Sequence, residues 1–363
     1  METGMIPAAK PIIGDDERAA VDRVLRSGMI AQGPEVANFE QEFSRALVGG
    51  RTTVAVNSGT TGLHLGLLAA GVGPGDEVIV PSFTFAATAN SVALTGATPV
   101  FADIEPDYFG LSPAAAEAAV TDRTVGIMPV HLYGHAADLS GLTAVAQKHA
   151  LRLFEDAAQA HGATWQGAPV GTFSTFAMFS LYPTKNMTSV EGGMVSCETE
   201  EIARQVRLLR NQGMERRYEN EIVGFNSRMS DVHAAIGRVQ LSKLSAWTEQ
   251  RQANARFLDR HLEGVTVPPV AEDATHVYHQ YTVRVADDRD GFAAALADEH
   301  GIGTGVYYPI PNHRLPSFQR TLDLPETEKA AREALSLPVH PSLSDDDLDR
   351  IVAAVNAVAK AGA

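Results

Sequence analysis

From residue 52 onward the chain alternates short β-rich runs with helical stretches, and this alternation restricts the fold more than any other feature. Residues 53–56, 78–80, 99–102, 125–130 and 151–155 read as strands, and residues 60–70, 85–95, 113–120 and 140–149 between them read as helices. Strands separated by a helix do not form hairpins; they run parallel, with the helices crossing back over the sheet. The expected fold class is therefore α/β, a large, mainly parallel sheet flanked by helices. Sheets of this kind collect ligands outside the carboxyl ends of their strands, so the residues just beyond each run are the ones to inspect.

The flanks complete the plan. Two helices, 15–26 and 34–47, precede the alternation, joined by a loop, Ser27-Gly28-Met29-Ile30-Ala31-Gln32-Gly33, whose apolar centre is odd for a bare connection. A long helical pattern, 230–262, places Val232, Ile236, Val239, Leu244 and Trp247 near helical spacing and suits a connector between domains. Beyond it come a strand at 278–285, a helix at 290–300, a strand near 305–308, a Pro-rich loop, and a last helix opened by Ser344-Asp345-Asp346-Asp347. The expected division is a large domain, 1–250, with an N-terminal helical segment, and a smaller C-terminal α+β domain, 251–363.

The formal net charge of −15, from 29 Lys+Arg against 44 Asp+Glu, disfavours nonspecific attraction to nucleic acid or an anionic membrane, so neither is an expected partner. Phosphate-bearing small molecules are not excluded, because backbone N–H groups and a few basic side chains can hold them. The one cysteine, Cys197, has no intrachain partner and reads as a buried structural thiol in a reducing compartment. With no apolar run of about eighteen residues and no basic-then-apolar leader pattern, the expected location is cytoplasmic.

Several strand ends carry candidate chemistry. The apolar run 176–181 reads as a buried strand broken at Pro183, which sets Lys185 just past its end and ahead of Glu191-Gly192-Gly193. A lysine there is either an anchored surface residue or a reactive amine. Asn57-Ser58-Gly59-Thr60-Thr61-Gly62 follows the first strand and opens a helix, which makes it either an anion site of free N–H groups or simply a helix cap. Gly71-Val72-Gly73-Pro74-Gly75-Asp76 precedes a strand and contains a proline, so it reads as a helix stop and turn. In Glu155-Asp156-Ala157-Ala158-Gln159, Asp156 is a buried carboxylate needing a cation or donors, or else a helix N-cap; strand alternation turns Glu155 to the other face. His131 and His135 are four apart, but Tyr133-Gly134 interrupts any helix between them, and no third ligand is in view, so no metal is expected. Phe85, in Pro81-Ser82-Phe83-Thr84-Phe85, is by default a core aromatic, and Arg228 a surface charge.

Each candidate is ambiguous alone. Together they supply an amine, a carboxylate for a cationic ring, phosphate donors and an aromatic plane, which is the inventory of a pyridoxal phosphate site. In the order and spacing of Gly28, Gly33-Pro34, Asn57-Ser58-Gly59-Thr60, Pro81 to Phe85, Glu155 to Gly162, Ser180 to Asn186, Glu191-Gly192-Gly193 and Gly224-Phe225-Asn226-Ser227-Arg228, the chain closely resembles, nearly end to end, the DegT/DnrJ/EryC1/StrS group of fold-type-I, pyridoxal-phosphate-dependent sugar aminotransferases.

The resemblance implies that Lys185 is the Schiff-base lysine and proton shuttle, that Asp156 keeps the ring nitrogen protonated, that Gln159 meets the ring hydroxyl, and that Phe85 stacks on the ring. It implies that Gly59, Thr60 and Ser180 bind the phosphate and that Asn226 or Arg228 enters from the second subunit of a homodimer with shared active sites. Met29, Tyr307 and His313 are implied as sugar-pocket residues. The amino donor would be L-glutamate and the acceptor a nucleotide-linked ketosugar. The family's dehydratases replace the lysine by histidine, so Lys185 favours amino transfer. Gly110, where members commonly carry asparagine, is a departure with no functional loss attached. Two other readings stay open: a lysine-retaining relative acting on a keto-cyclitol or as an aminodehydratase, and a non-catalytic regulator on the same fold.

Overall fold

The computed structural model describes residues 4–362. The alternation resolves into a seven-stranded sheet: β1 (Thr52–Val56), β2 (Glu77–Pro81), β3 (Thr98–Ala102), β4 (Thr124–Ile127), β5 (Arg152–Asp156), β6 (Phe176–Ser180) and β7 (Gly193–Cys197). Their spatial order is β1-β7-β6-β5-β4-β2-β3. The pairs from β6 through β5, β4 and β2 to β3 are parallel, whereas β7 is antiparallel to both β1 and β6. All strands except β7 therefore end on one edge. The sequence reading has no strand at Gly193–Cys197; there the chain doubles back after the Lys185 turn and pairs Gly193 with Ser180 and Val56.

Helices cover both faces, which is why β2, β6 and β7 are buried along their whole length. Side-chain alternation splits the core in two. Val54, Val56, Phe176, Met178 and Val195 pack on one face, and Ala55, Ala177, Phe179 and Met194 on the other with Phe39 and Phe43 of helix Pro34–Leu47. Helix Gly59–Ala69 sits close against β6. A Cβ at Gly66 would lie 2.5 Å from the Phe176 ring, and one at Gly62 would lie 2.7 Å from Met178. Gly66→Ala should therefore destabilise by about 1–3 kcal/mol through overpacking despite alanine's better helix propensity. The check is a lower urea midpoint at unchanged slope.

The long helix, Asp231–His261, starts at Ser230, whose hydroxyl accepts from the His233 N–H. A second apolar cluster lies beyond it, built from Leu258, Tyr281, Val283, Leu296, Leu337 and Ile351, and Ile6 joins it from the N-terminal segment. Here β8 (Tyr281–Arg284) and β9 (Ala334–Leu337) pair antiparallel. The expected strand 278–285 begins only at Tyr281, because Tyr278 takes a positive φ of 44° and the N–H groups of Val277 and Gln280 go to the Gly134 and Tyr133 carbonyls. The expected strand near 305–308 shrinks to one bridge, Gly305 with Ser336, after which Tyr307 and Tyr308 turn toward the cavity described below. Among the described residues no helix is long and apolar enough to cross a membrane.

Candidate active site

The loops leaving β1, β2, β5 and β6 close on a cavity of about 520 Å³ at the carboxyl edge of the sheet. Of the residues singled out in the sequence, Gly59, Thr60, Phe85, Asp156, Gln159, Ser180, Lys185 and Tyr307 line it. All but Tyr307 reach it for a topological reason: β1, β2, β5 and β6 point the same way, and their ends are neighbours in the sheet or separated by one strand.

Lys185 follows β6 by a turn in which its N–H donates to the Tyr182 carbonyl at 3.0 Å. Burial lowers its ammonium proton affinity to about 8, against the opposing pull of Asp156. Asp156 closes β5 and is 4 % exposed. Burial raises its pKa, partly offset by the Thr88 hydroxyl at 2.8 Å, the Ala158 N–H at 3.1 Å and the Lys185 charge. The bond to Ala158 forms a local turn, not a helix cap, since no helix follows β5 directly. Thr88→Val would remove a donor to a buried carboxylate and should cost about 1–3 kcal/mol in denaturant unfolding of the cofactor-free protein.

Glu155 turns to the opposite face, as alternation requires. There it accepts from the Gly171 and Phe173 N–H groups at 2.6 and 3.0 Å and from Ser174 Oγ at 2.6 Å, with His131 Nε2 at 3.2 Å. Burial pushes Glu155 up, but His131, Ser174 and Gly171 together hold it below the usual carboxylate value. His131 is thus a partner of Glu155, while His135 stacks on Tyr108 at 4.8 Å. Among the described residues no cluster of three or more His, Cys, Asp or Glu could hold a metal.

The turn after β1 forms the helix cap that is one of the two readings offered by the sequence. Ser58 Oγ accepts from the Thr61 N–H and caps helix Gly59–Ala69, and the Gly62 N–H reaches the Ser58 carbonyl. The Gly59 and Thr60 N–H groups are left at the helix N-terminus without a partner among the described residues, facing the cavity with Ser180. A Cβ at Gly59 would come within 3.2 Å of Ser180 Oγ and Met178 Sδ, so a side chain there would crowd Ser180 and push it back by a few tenths of an ångström.

Gln159 is fixed at both ends: its Oε1 accepts from the Tyr133 N–H at 2.6 Å and its Nε2 donates to the Tyr308 hydroxyl at 3.2 Å. Phe85 is 58 % exposed, at the cavity and outside the core, tilted against Tyr308 at 5.8 Å. Thr88 and Tyr133 have no motif that marks them in the sequence, and Tyr308 is marked only as the neighbour of Tyr307.

Other expected residues lie elsewhere. Asn226 is exposed, and Arg228 Nη1 donates to Asn211 Oδ1 at 2.9 Å; neither lines this chain's cavity. Met29 is 56 % exposed on its loop, also outside the cavity. His313 departs from the expected sugar-pocket position: it is 1 % exposed behind the wall, with Nδ1 2.8 Å from Ser82 Oγ and Nε2 3.1 Å from Glu328. Its ring and its N–H both meet Ser82 Oγ, which holds it inward, so it braces the turn after β2.

The donors present fit pyridoxal phosphate: two free helix N-terminal N–H groups and Ser180 for a phosphate, a buried carboxylate for a ring nitrogen, and an amine of lowered proton affinity for an aldehyde. Only the neutral amine adds to a carbonyl, so capture of pyridoxal phosphate by the cofactor-free protein should accelerate as pH rises toward 8 and level off above it. An ordinary lysine would keep gaining toward its usual pKa of about 10.5. Stopped-flow absorbance against pH reads the difference.

A sequence profile of the DegT/DnrJ/EryC1/StrS aminotransferase family matches residues 11–356. A pleiotropic regulatory protein of Geobacillus stearothermophilus is 44% identical over 92% of this chain and 91% of its own. The dTDP-3-amino-3,4,6-trideoxy-alpha-D-glucose transaminase of Streptomyces venezuelae is 42% identical, over 93% and 90%. Among solved structures, S. venezuelae DesV in complex with a ketimine intermediate superposes with a TM-score of 0.92 at 39% identity, covering 98% of this chain and 99% of that one. NtdA from Bacillus subtilis with bound PMP gives 0.92 at 32% identity, covering 99% and 86%.

Proposed function

Because the chain belongs to the DegT/DnrJ/EryC1/StrS aminotransferase family and has its fold-type-I architecture, we propose that it uses pyridoxal phosphate to move an amino group from L-glutamate to a keto group of a nucleotide-linked deoxysugar. The observation that carries this reading is the convergence of Lys185, Asp156 and the Gly59–Thr60 helix end on one cavity. Bound there, pyridoxal phosphate would supply an aldehyde that takes up amines and a ring that accepts the electrons released when a carbon loses its proton.

This chain's residues do the rest. Lys185 Nζ, half neutral near pH 8, takes a proton from one carbon and returns it to another. Asp156, desolvated and steadied by Thr88, holds a proton on the ring nitrogen by its charge. Gln159, pinned by Tyr133 and Tyr308, would meet the ring hydroxyl, and Phe85, which lines the cavity, would stack on the ring. Gly59, Thr60 and Ser180 hold the phosphate, and Tyr307 borders the space left for the sugar. Asn226 or Arg228, neither of which lines this chain's cavity, would complete a partner's site in a homodimer, and Met29, exposed on its loop, would join the sugar pocket. The second apolar cluster supports a division into domains 1–250 and 251–363, crossed by the long helix and, in the other direction, by Ile6.

The test is incubation of the purified protein with L-glutamate and a panel of nucleotide ketosugars, read by mass spectrometry. A nucleotide aminosugar supports the reading, and amination of a keto-cyclitol alone moves the acceptor class. The name of the Geobacillus relative favours a second reading, a regulator on the same scaffold. It requires a purified protein that holds no cofactor and shows no half-reaction with glutamate.

A further inference from the structure

Behind the cavity wall lies a smaller cleft, of about 20 Å³, where the segment around Lys10, the Lys185 turn, the long helix and the loop after β9 meet. Lys10, Lys185, Arg251, His279 and His340 line it, and no carboxylate does, although the chain's net charge is −15. Arg251 is 8 % exposed. Its Nη1 donates to the Tyr278 carbonyl at 3.1 Å, while Nε has no partner among the described residues. Burial alone draws its proton affinity down to about 10, with no acid opposing it. His340, 3 % exposed, places Nε2 3.2 Å from the Pro7 carbonyl and leaves Nδ1 without a partner among the described residues. A buried cation without a counter-charge is among the most expensive arrangements a fold can keep.

We propose that this cleft binds one compact monoanion of chloride or formate size, held chiefly by Arg251, with Lys10 closing the outer side. Size selects the ligand. A single water needs about 10–15 Å³ on this measure, so the cleft takes one small ion and excludes a whole amino acid or sugar phosphate. The ion would be a counter-charge for Arg251 and would favour a second proton on His340, making Nδ1 a donor. It would also reach the active site, because Lys185 and His279 belong to both walls. The groups facing Lys185 are Asp156 from β5, His161, and His279 from the segment before β8. A negative charge added behind them strengthens the ammonium form of Lys185, so the ion reduces the fraction of reactive amine at a given pH.

The test is ³⁵Cl NMR of the protein as purified. Excess line broadening should saturate with chloride and be reversed by formate but not by gluconate at equal ionic strength. Arg251→Met should abolish it, with circular dichroism checking that the variant is folded. Lys10→Gln, a change at an exposed side chain, should weaken apparent affinity about two- to fivefold, the range of one exposed charge; it decides the matter if the arginine variant does not fold. No excess broadening in the wild type, or broadening unchanged in the folded variants, overturns the proposal. Reversal by glutamate as efficient as by formate also overturns it, since the site would then serve a substrate carboxylate instead of a free ion.

Discussion

Lys185→Ala is expected to abolish measurable turnover: loss of a positioned proton-transfer base alone removes about 10²–10⁴-fold, and the amine that anchors the cofactor goes with it. The visible chromophore should disappear from the purified variant. The fold should survive, because the substitution removes a partly buried cation whose ammonium form burial already disfavours. An unaltered thermal midpoint beside absent activity would separate this outcome from simple unfolding. A variant that kept normal turnover would remove Lys185 from the chemistry.

Asp156→Asn should be nearly as severe by a different route. The amide keeps the size and can still accept from Thr88, but it carries no charge to hold a proton on a ring nitrogen. Losing a preorganised electrostatic group of this kind costs about 10²–10³-fold in kcat. The cofactor should still bind, since the phosphate donors and Lys185 are untouched, so the loss should fall on kcat and leave the chromophore in place. The sign of the stability change is set by the direction of the Asp156 shift. A carboxyl whose pKa is raised in the fold disfavours the folded state once pH exceeds the unfolded value of about 3.8. At neutral pH the asparagine variant is therefore expected to be no less stable than the wild type in the absence of cofactor, provided the amide keeps the Thr88 bond.

The architecture was legible because its signals are local and redundant. Buried parallel strands such as Val78-Ile79-Val80 and Phe176 to Phe179 read as unbroken apolar runs, and the first two intervening helices run into glycine, at Gly71 and Gly96. β7 escaped because Gly193-Met194-Val195-Ser196-Cys197 is short and starts on glycine, and only its pairing with β1 and β6 makes it a strand. The cavity lining was legible where residue type and strand end coincide, as at Lys185 and Asp156. It was not legible where side chains are set by contacts between distant residues: Thr88 meets Asp156 across 68 positions, and Tyr308 meets Gln159 across 149. The reverse case is His313, which the resemblance implies as a sugar-pocket residue but whose buried ring lies against Ser82 and Glu328, outside the cavity lining. Phe85 shows the same limit from the other direction, since aromatic character predicts burial and the turn after β2 instead presents the ring to the cavity.

The central claim is that the amine of Lys185 holds pyridoxal phosphate at the carboxyl edge of the sheet. Borohydride reduction of the protein loaded with pyridoxal phosphate, followed by proteolysis and peptide mass mapping, tests it most directly. The predicted result is a single phosphopyridoxyl mark on the peptide containing Lys185, absent from Lys185→Ala. A mark on another lysine, or none on a protein that aminates a nucleotide ketosugar, would contradict it.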